Sequence, residues 1–430
     1  MRLYDIFRAS AGVNTDTRTL KEGQLFFALK GENFDGNAYA LQALSAGAAY
    51  AVVNDTLEAD DPRLIKVPDT LKALKELAAW HRNHVCGDRR LPVIGLTGTN
   101  GKTTTKELIR AVLAAKYKVV ATEGNLNNDI GVPLSVLKIT PDTEIAVIEM
   151  GASHPDDIAA LTPVSQPDFG LITNVGKAHL LGFGSFEGVK RAKGQLYDYI
   201  EAHGESVFIN ADDPVLAEMA AERCLITIPY GIHQQGAEIL PITAEHPLLR
   251  IRLAGKVIRT HLAGVYNATN VLAAIAVGRH FGVSLADAIA AVEAYIPANN
   301  RSQMTRTERN LLIEDAYNAN PSSMAAALES FAAIREPSKV VLLGDMRELG
   351  ADSLAEHRAV VRRLAAMDLE QVCLVGEEFT KAVAAEQASF ACYPTSDALY
   401  EALQAHPLSG CTILVKGSRG IRMEKVIPAL

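Results

Sequence analysis

The pattern of apolar residues divides the chain into three regions. In the first region, the short apolar runs QLFFAL and AAYAVV alternate with helix-like stretches such as residues 71–84. The polar turn CGDRRLP follows, and its Gly87 and Pro92 are typical of a linker. We therefore predict a small α/β domain over residues 1–87.

From Pro92 onward the apolar runs become richer in β-branched residues. They read PVIGL, KVVAT, EIAVIEM, FGLITNV and SVFIN, and most are separated by segments of helix length. Continuous apolar strands that alternate with helices indicate a mainly parallel sheet buried on both faces. A later strand in GKVIRTHLAG and helices over 267–281 and 284–295 complete a central domain, which we place at residues 88–298.

A second boundary is predicted near residue 298, where Pro297 precedes a polar cluster in IPANNRSQ. Beyond it, buried-type strands occur in LLIEDAY, KVVLLGDM, QVCLVGE and TILVKGS, with helices at 322–334 and 354–366. This order predicts a second doubly wound, Rossmann-like unit over residues 299–430. The predicted fold class is therefore α/β with three domains, and right-handed crossovers are expected in both larger sheets.

Composition narrows the classes of function. The 430 residues carry a net charge of −8, which disfavours a nucleic-acid partner because backbone binding needs a basic surface. The five cysteines form no CxxC pair, which suggests reduced thiols in the cytosol. No apolar run reaches the ~18 residues that a membrane-spanning helix needs, and the N-terminus MRLYDIFRAS lacks the apolar core of a signal peptide. We therefore expect a cytoplasmic protein without membrane insertion.

The segment GLTGTNGKTTT predicts a phosphate-binding loop, because it follows the strand PVIGL and opens the amphipathic helix KELIRAVLAA. Gly98 and Gly101 let backbone N–H groups turn toward phosphate oxygens at a helix N-terminus. Lys102 would reach the terminal phosphates, and the Thr103 hydroxyl would bind Mg²⁺. Leu96 stands where a strict GxxxxGK[ST] pattern needs glycine. The alternative is an accidental Gly/Thr-rich turn, which the combination of strand, loop, GKT and helix disfavours.

Glu149 is a second candidate, because it ends the apolar strand EIAVIEM. Ligands of open α/β sheets gather at strand carboxyl ends, so a carboxylate there is placed for Mg²⁺. The alternative is a solvated acid at the end of a strand. Phosphate loops serve kinases, ATPases, GTPases and ligases alike, so these features leave the reaction open.

Further motifs occur in one order along the chain. They are TGTNGKTTT, GNLNNDIGVPLS, EMGAS, TNVGKAHL, AKGQLY, GVYNATN, DAYNANPSSM, GDMRELG and KGSR. Together they resemble the Mur ligase family, and TDTRTLKEGQLFFALKGENFDGN near the N-terminus resembles its nucleotide-sugar domain. Most of these motifs are weak alone, whereas nine or ten in register are specific. The resemblance covers essentially the whole chain.

The resemblance implies an ATP-dependent, amide-forming ligase that joins D-alanyl-D-alanine to UDP-N-acetylmuramoyl-tripeptide in peptidoglycan synthesis. In this family the first domain binds the UDP-sugar peptide, the second binds ATP, and the third closes over the site with the incoming amino component. The peptide carboxylate is phosphorylated to an acyl phosphate, which the incoming amine then attacks. The identity of the third residue of the tripeptide, lysine or diaminopimelate, stays open, and a monomer is expected.

The resemblance also implies residue roles. His179 and Lys193 would join Thr103 and Glu149 around two Mg²⁺ ions, and Lys193 is a candidate for carbamylation, which would give it oxygen ligands. The alternatives are an exposed histidine and an ordinary surface lysine. The candidate ATP contacts are Gly98, Thr99, Asn100, Gly101, Lys102, Thr103, Thr104, Asn125, Asn128, Asn267, Asn270, Arg301, Asp315 and Tyr317. For Asn267 a helix cap is the alternative, and for Arg301 an ordinary linker charge.

The substrate contacts are expected in the first and third domains. A dipeptide presents a carboxylate, which suits Arg or Lys, and an ammonium that must lose a proton, which suits a carboxylate. Candidates for the dipeptide are Asp345, Glu348, His357, Lys416, Ser418 and Arg419. Candidates for the UDP-sugar are Thr17, Arg18, Gly31, Phe34, Asp35, Gly36 and Asn37. Asn37 departs from the family, in which histidine is common there.

Three other functions fit the sequence less well. The sibling ligase that adds the third amino acid usually carries a DNPR-type motif, which is absent from this sequence. Folylpolyglutamate synthase lacks a nucleotide-sugar first domain. A non-catalytic nucleotide-binding regulator would not need Lys102, Thr103, Glu149, His179 and Lys193 together.

Overall fold

The computed structural model describes residues 2–31, 34–243, 246–297, 301–334 and 338–430. Three α/β units follow one another along the chain, each built on its own main sheet. The boundary that we predicted at residue 298 lies outside the described residues.

The first unit contains a four-stranded parallel sheet in the order β1-β2-β5-β6 and a small hairpin, β3-β4. Its elements are α1 (Arg2–Ala9), β1 (Val13–Asn14), β2 (Leu25–Phe27), β3 (Lys30–Gly31), β4 (Phe34–Asp35), a 3-10 helix (Gly36–Tyr39), α2 (Ala40–Ser45), β5 (Tyr50–Asn54), β6 (Leu64–Val67) and α3 (Thr70–His84). Helix α3 begins where the Asp69 side chain accepts a hydrogen bond from the Lys72 backbone N–H, which satisfies one free donor of the first turn.

The middle unit is built on a six-stranded parallel sheet in the order β12-β11-β10-β7-β9-β8. Its elements are β7 (Val93–Thr97), α4 (Lys102–Ala114), β8 (Val119–Ala121), α5 (Gly131–Val136), β9 (Ile145–Glu149), α6 (Asp157–Ser165), β10 (Phe169–Ile172), α7 (Leu180–Phe183), α8 (Phe186–His203), β11 (Ser206–Asn210), α9 (Pro214–Ala221), β12 (Thr227–Tyr230), β13 (Glu238–Ile239), β14 (Arg250–Leu253), β15 (Lys256–Arg259), a 3-10 helix (Val265–Asn267), α10 (Ala268–His280) and α11 (Leu285–Ala294). Every residue of β7, β9, β10 and β11 is buried, as expected for strands covered by helices on both faces.

The third unit has a six-stranded sheet in the order β16-β17-β21-β18-β19-β20, in which only the edge strand β16 runs antiparallel to its neighbour among the described pairs. Its elements are β16 (Gln303–Arg306), β17 (Leu311–Asp315), α12 (Pro321–Ala332), β18 (Lys339–Gly344), a 3-10 helix (Gly350–Asp352), α13 (Ser353–Ala365), β19 (Gln371–Val375), α14 (Glu377–Glu386), β20 (Ala391–Tyr393), α15 (Ser396–Ala405), β21 (Thr412–Lys416) and a 3-10 helix (Met423–Ala429). A mostly parallel sheet with helices between its strands is the predicted architecture.

Strands β13, β14 and β15 form a small antiparallel sheet after the main sheet of the middle unit. The sequence predicted only the last of them. Strand β13 has two residues, and β14 reads RIRL with alternating charged positions, so neither produces the continuous apolar run that marks the main strands.

Helix α3 belongs to the first unit by sequence but packs on helices α5 and α6 of the middle unit. His81 Nε2 lies 2.7 Å from the Ile139 carbonyl oxygen, and Arg82 donates to the Asp168 carboxylate at 3.0 Å. Leu74 and Leu77 join the apolar core that contains residues of α5 and α6. One core therefore crosses the boundary predicted at residue 87. In the part of the chain that the structure describes, no helix is both long enough and apolar enough to cross a membrane.

Candidate active site

A cavity of about 940 Å³ is lined by residues of all three units. Lys75 on α3 represents the first unit, Lys102 and Glu149 the second, and Asp315 and Tyr317 the third. The predicted site residues that line it are Thr99, Asn100, Gly101, Lys102, Thr103, Thr104, Asn125, Asn128, Glu149, His179, Asn267, Asn270, Arg301, Asp315, Tyr317 and Lys416. The structure thus brings together residues from the carboxyl ends of strands in two separate sheets.

The loop between β7 and α4 has the conformation that its glycines were expected to allow. Gly98 has φ of 145°, and a Cβ there would lie 1.9 Å from Thr173 Oγ1. Gly101 has φ of 78°, and a Cβ there would lie 2.8 Å from the Asn270 side-chain oxygen. Both positions combine a left-handed backbone with a close neighbour, so only glycine fits without strain. Gly98 shapes the loop although it does not line the cavity.

Two residues that follow β10 hold this loop in place. Thr173 Oγ1 donates to the Asn100 carbonyl oxygen at 2.7 Å, and the Asn174 side-chain oxygen accepts from the Asn100 backbone N–H at 3.0 Å. The Lys102 ammonium curls onto the loop and donates to the carbonyl oxygens of Gly98 and Thr99 at 2.8 and 3.0 Å. Burial lowers the pKa of Lys102, while the charge of Glu149 acts in the opposite direction. The sequence predicted Lys102 here but not the two residues after β10.

Glu149, at the end of β9, is only 1% exposed. Its Oε1 accepts hydrogen bonds from Thr103 Oγ1 at 3.2 Å and from the Asn127 side-chain amide at 2.8 Å. Its Oε2 is buried and has no hydrogen-bond partner among the described residues. A buried carboxylate oxygen without a donor, next to a threonine hydroxyl, is an oxygen set that suits Mg²⁺. These residues therefore fit the expected cation.

Asn127 was missed, although it lies between Asn125 and Asn128, which we selected from the same motif. Asn125 is exposed at the cavity. The Asn128 side-chain oxygen accepts from the Gly131 backbone N–H at 2.8 Å, at the start of α5. Only the fold shows which of these amides turns toward Glu149, because sequence spacing in a loop does not set side-chain direction.

His179 lines the cavity with a left-handed backbone, φ 50°, immediately before α7. Its Nδ1 contacts the carboxylate of Glu348 in the third unit. Burial lowers the pKa of His179 and outweighs the opposite effect of that carboxylate. The structure therefore joins two predicted site residues to each other across the boundary between units.

Lys193 lies on α8 and is 2% exposed, so it is not the surface lysine that was the alternative. Its ammonium lies 5.9 Å from the centre of the Phe183 ring. Burial, and then the positive charge of Lys102, lower the pKa of Lys193 well below its ordinary value. Lys193 itself does not line the cavity.

The two asparagines at the start of α10 are buried and bonded to one another. Asn270 donates to the Asn267 side-chain oxygen at 2.9 Å and accepts from Thr105 Oγ1 at 3.0 Å. Asn267 donates to the Ala263 carbonyl oxygen at 2.7 Å, and its side chain does not cap the helix. In this arrangement they tie α10 to the helix that follows the phosphate loop.

In the third unit, strands β17 and β21 carry Asp315 and Lys416 in direct register. The Lys416 ammonium contacts the Asp315 carboxylate and donates to the Asn318 carbonyl oxygen at 3.2 Å. Nearby, the guanidinium of Arg301 lies 3.6 Å from the Tyr317 ring centre, and that of Arg419 lies 5.0 Å from it. Stacked cation and aromatic faces can support a planar ligand.

Other candidates in the third unit have partners inside the fold. Asp345 accepts from the backbone N–H groups of Glu378 and Phe379 at 3.0 and 2.8 Å, at the start of α14. His357 is fully buried, and its Nε2 accepts from the Met346 backbone N–H at 3.0 Å. The remaining candidates of this unit that do not line the cavity are Glu348, Ser418 and Arg419.

The candidates of the first unit lie away from the cavity. Phe34 is exposed and stacks on Tyr39 at 5.4 Å, while Asn37 bonds to Asp35 and to Asn54. A Cβ on Gly36 would lie 2.6 Å from the Leu29 backbone oxygen. The other candidates here are Thr17, Arg18, which pairs with Asp16, and Gly31. Their contact with a UDP-sugar stays a prediction.

Polar contacts join the middle and third units beside the phosphate loop. The Asn320 amide donates to the Asn100 side-chain oxygen at 2.8 Å, and the Lys177 backbone N–H donates to Ser322 Oγ at 3.0 Å. The Lys177 ammonium also lies 2.7 Å from the Glu356 carboxylate. Asn320 and Ser322 belong to the quoted motif DAYNANPSSM, but the sequence did not single them out.

Comparisons with known proteins agree with this architecture. Family models described as Mur ligase family, catalytic domain; Mur ligase middle domain; and Mur ligase, glutamate ligase domain match residues 10–82, 96–278 and 300–419. The chain is 37% identical over 438 residues to UDP-N-acetylmuramoyl-tripeptide–D-alanyl-D-alanine ligase of Escherichia coli, which covers 97% of this chain and 93% of the relative. It is 35% identical over 433 residues to the Bacillus subtilis ligase of that name, with the same two coverages.

Solved structures give the same result. A crystal structure of MurF from Acinetobacter baumannii is 32% identical, with a TM-score of 0.83 over 97% of this chain and 92% of that one. A structure of MurF ligase from Thermotoga maritima in complex with ADP is 26% identical, with a TM-score of 0.82 over 99% of this chain and 97% of that one. The predicted three-domain α/β fold is therefore confirmed. The chain belongs to the Mur ligase family.

Proposed function

We propose that this chain is an ATP-dependent ligase that joins D-alanyl-D-alanine to UDP-N-acetylmuramoyl-tripeptide during peptidoglycan synthesis. The observation that carries the proposal is a phosphate loop that faces the buried Glu149 in a cavity shared by all three units. The relatives that match along 97% of the chain bear the name of this activity.

The chemistry has two steps. The terminal phosphoryl group of ATP passes to a carboxylate oxygen of the tripeptide, which releases ADP and forms an acyl phosphate. The free amine of the dipeptide then attacks the acyl carbon, inorganic phosphate leaves and the amine gives up a proton. Lys102 is positioned to exchange its bonds to two loop carbonyls for bonds to phosphate oxygens. The stacked Arg301 and Tyr317 are positioned for the planar part of the nucleotide.

Mg²⁺ would be held by Thr103 and Glu149, with His179 and Lys193 as candidates for a second ion. When bound, Mg²⁺ neutralises charge on the transferring phosphate. The contact of His179 Nδ1 with Glu348 would leave Nε2 as the nitrogen that binds the ion, and a carboxylate on Nδ1 is a common way to orient such a ring. The Glu149→Gln enzyme should keep its shape but need more Mg²⁺. If the magnesium titration curves of the variant and the wild type coincide, Glu149 has no metal role.

Carbamylation of Lys193 is supported by its surroundings. Carbamate formation consumes a neutral amine and CO₂, and burial beside Lys102 favours the neutral amine. The product would place a negative charge where the buried amine now lies. Lys193→Ala should be nearly inactive and partly rescued by a short carboxylic acid. Carbon-13 NMR after labelling with ¹³C-bicarbonate tests this directly, and an unmodified amine in the active enzyme would remove the metal role of Lys193.

The finer assignments follow from the same proposal. The first domain, residues 1–87, would take the UDP-sugar, residues 88–298 would take ATP, and residues 299–430 would take the dipeptide. Among the candidates for the dipeptide, Lys416 both lines the cavity and carries a positive charge, which suits the dipeptide carboxylate. We place the reaction in the cytoplasm and expect a monomer to perform it.

Phosphate release tests the function. The purified protein receives ATP, Mg²⁺ and UDP-N-acetylmuramoyl-tripeptide, with and without D-alanyl-D-alanine. Release that requires both acceptor and dipeptide supports the proposal. Phosphate release with UDP-N-acetylmuramoyl-dipeptide plus lysine or diaminopimelate would instead assign the sibling reaction, which adds the third amino acid. Nucleotide binding without turnover would leave only a regulator.

A further inference from the structure

Lys106 is a buried cation for which the proposed reaction has no direct use. It lies on α4 one turn after Lys102, is fully buried and does not line the cavity. Its ammonium donates to the Thr122 carbonyl oxygen and lies 2.8 Å from Glu107 Oε1. A lysine is rarely enclosed in this way unless charged partners compensate it.

The second carboxylate near Lys106 is Glu149. The Lys106 ammonium lies 4.0 Å from Glu149 Oε2, the buried oxygen that has no hydrogen-bond partner among the described residues. At that distance the two groups attract each other without a hydrogen bond, so Oε2 remains available to a cation. The Oε1 atom is held separately by Thr103 and Asn127. Glu149 Oε1 is thus fixed by two neutral donors, whereas Oε2 lies near the positive charge of Lys106.

We propose that Lys106 is a positioning residue that acts as the internal counter-ion of Glu149. It compensates the buried carboxylate before Mg²⁺ arrives and keeps that carboxylate turned toward the cavity. It also repels the incoming dication, so it weakens Mg²⁺ binding while it stabilises the metal-free protein. This inference rests on the proposed role of Glu149 as a metal ligand.

The inference predicts opposite effects on two measurements. In Lys106→Met, a side chain of similar length without charge, the melting temperature of the metal-free protein should fall. The Mg²⁺ concentration needed for half-maximal binding of a fluorescent ADP analogue should fall as well, by about tenfold, which corresponds to about 1.4 kcal/mol. A lysine that only anchored the Thr122 carbonyl would lower stability and leave the Mg²⁺ requirement unchanged.

Two further variants sharpen the test. Glu107→Gln removes the other carboxylate beside Lys106 and should leave the Mg²⁺ requirement within about twofold of wild type, since Glu149 keeps its counter-ion. The double variant Lys106→Met with Glu149→Gln removes both charges of the buried pair. Its metal-free melting temperature should exceed that of Lys106→Met alone, because no uncompensated carboxylate remains.

The outcomes separate clearly. Tighter Mg²⁺ binding in Lys106→Met, together with recovery of stability in the double variant, supports the counter-ion role. An unchanged or weaker Mg²⁺ response in Lys106→Met, or additive losses of stability, overturns it. If Lys106→Met does not fold, a folded double variant supports the role and an unfolded one overturns it. If the wild type shows no phosphate release that depends on D-alanyl-D-alanine, the proposed function itself is overturned.

Discussion

The ion pair between Asp315 and Lys416 provides a quantitative test of the third domain. The two residues end neighbouring parallel strands in direct register, so their side chains extend side by side. The Lys416 side chain is 2% exposed and that of Asp315 is 17% exposed. Asp315→Asn removes the negative charge with little change in shape. The buried ammonium then keeps its bond to the Asn318 carbonyl oxygen but loses its only charged partner within the described contacts.

Removing one member of a buried ion pair destabilises by about 3–5 kcal/mol. Because Asp315 retains some exposure, we expect about 3 kcal/mol for Asp315→Asn. Lys416→Met should lower the free energy of unfolding by less, about 1–2 kcal/mol, since water can reach the remaining carboxylate. The double variant should be more stable than Asp315→Asn alone, which gives a coupling free energy of about 2 kcal/mol.

Native-state hydrogen exchange of the β17 and β21 amides is the suitable assay, because a three-domain chain need not unfold in one transition. The measurement is made without nucleotide, so that a contact between Asp315 and ATP cannot contribute. The reasoning would be refuted if Asp315→Asn lowered the free energy of unfolding by less than about 1 kcal/mol. It would also be refuted if the loss in the double variant equalled the sum of the losses in the two single variants.

Three further predictions concern other parts of the molecule. Lys102→Ala should abolish phosphate release while circular dichroism shows an intact fold, and near-normal turnover would exclude the phosphate-loop assignment. Burial lowers the pKa of His81, so the free energy of unfolding should fall by up to ~1.4 kcal/mol per pH unit as pH drops below the unfolded value of about 6.5. His81→Gln, which can still donate to the Ile139 carbonyl, should show a smaller slope, and identical pH profiles would contradict this. Asn320→Ser keeps a helix-capping oxygen but cannot reach Asn100. With ATP and the UDP-tripeptide bound, its radius of gyration from small-angle scattering should exceed that of the wild type, and equal radii would show that the amide pair does not help to close the third domain.

The main helices and strands could be predicted because their signal is local. The helix predicted at residues 71–84 occurs at Thr70–His84, and the one predicted at 354–366 occurs at Ser353–Ala365. Fully buried strands gave continuous apolar runs. Some short edge strands did not, because part of their side chains face solvent. Strand β12 reads TIPY, for example, and two of its four residues are exposed.

The phosphate loop could be predicted from its local pattern, and other site residues from strand ends and family motifs. Glu149 was selected because it ends a strand and Asp315 because of the family resemblance, and both line the cavity. Side-chain pairing depends on long-range contacts that the sequence does not encode locally, as in the amide pair of Asn100 and Asn320. Asp345 also follows a strand, but its carboxylate turns inward to cap α14. The same rule therefore found a structural carboxylate as readily as a cavity residue.

Helix α3 has a consequence for synthesis of the chain on the ribosome. It packs on helices α5 and α6, the second of which ends at Ser165, and its Leu74 and Leu77 share one apolar core with residues of both helices. Translation delivers α3 well before those partners, so the first unit emerges with an uncovered apolar surface. It cannot complete its folding as an independent N-terminal domain and must wait for roughly the first third of the middle unit. A nascent chain stalled at the linker should therefore be more sensitive to protease than one stalled beyond α6.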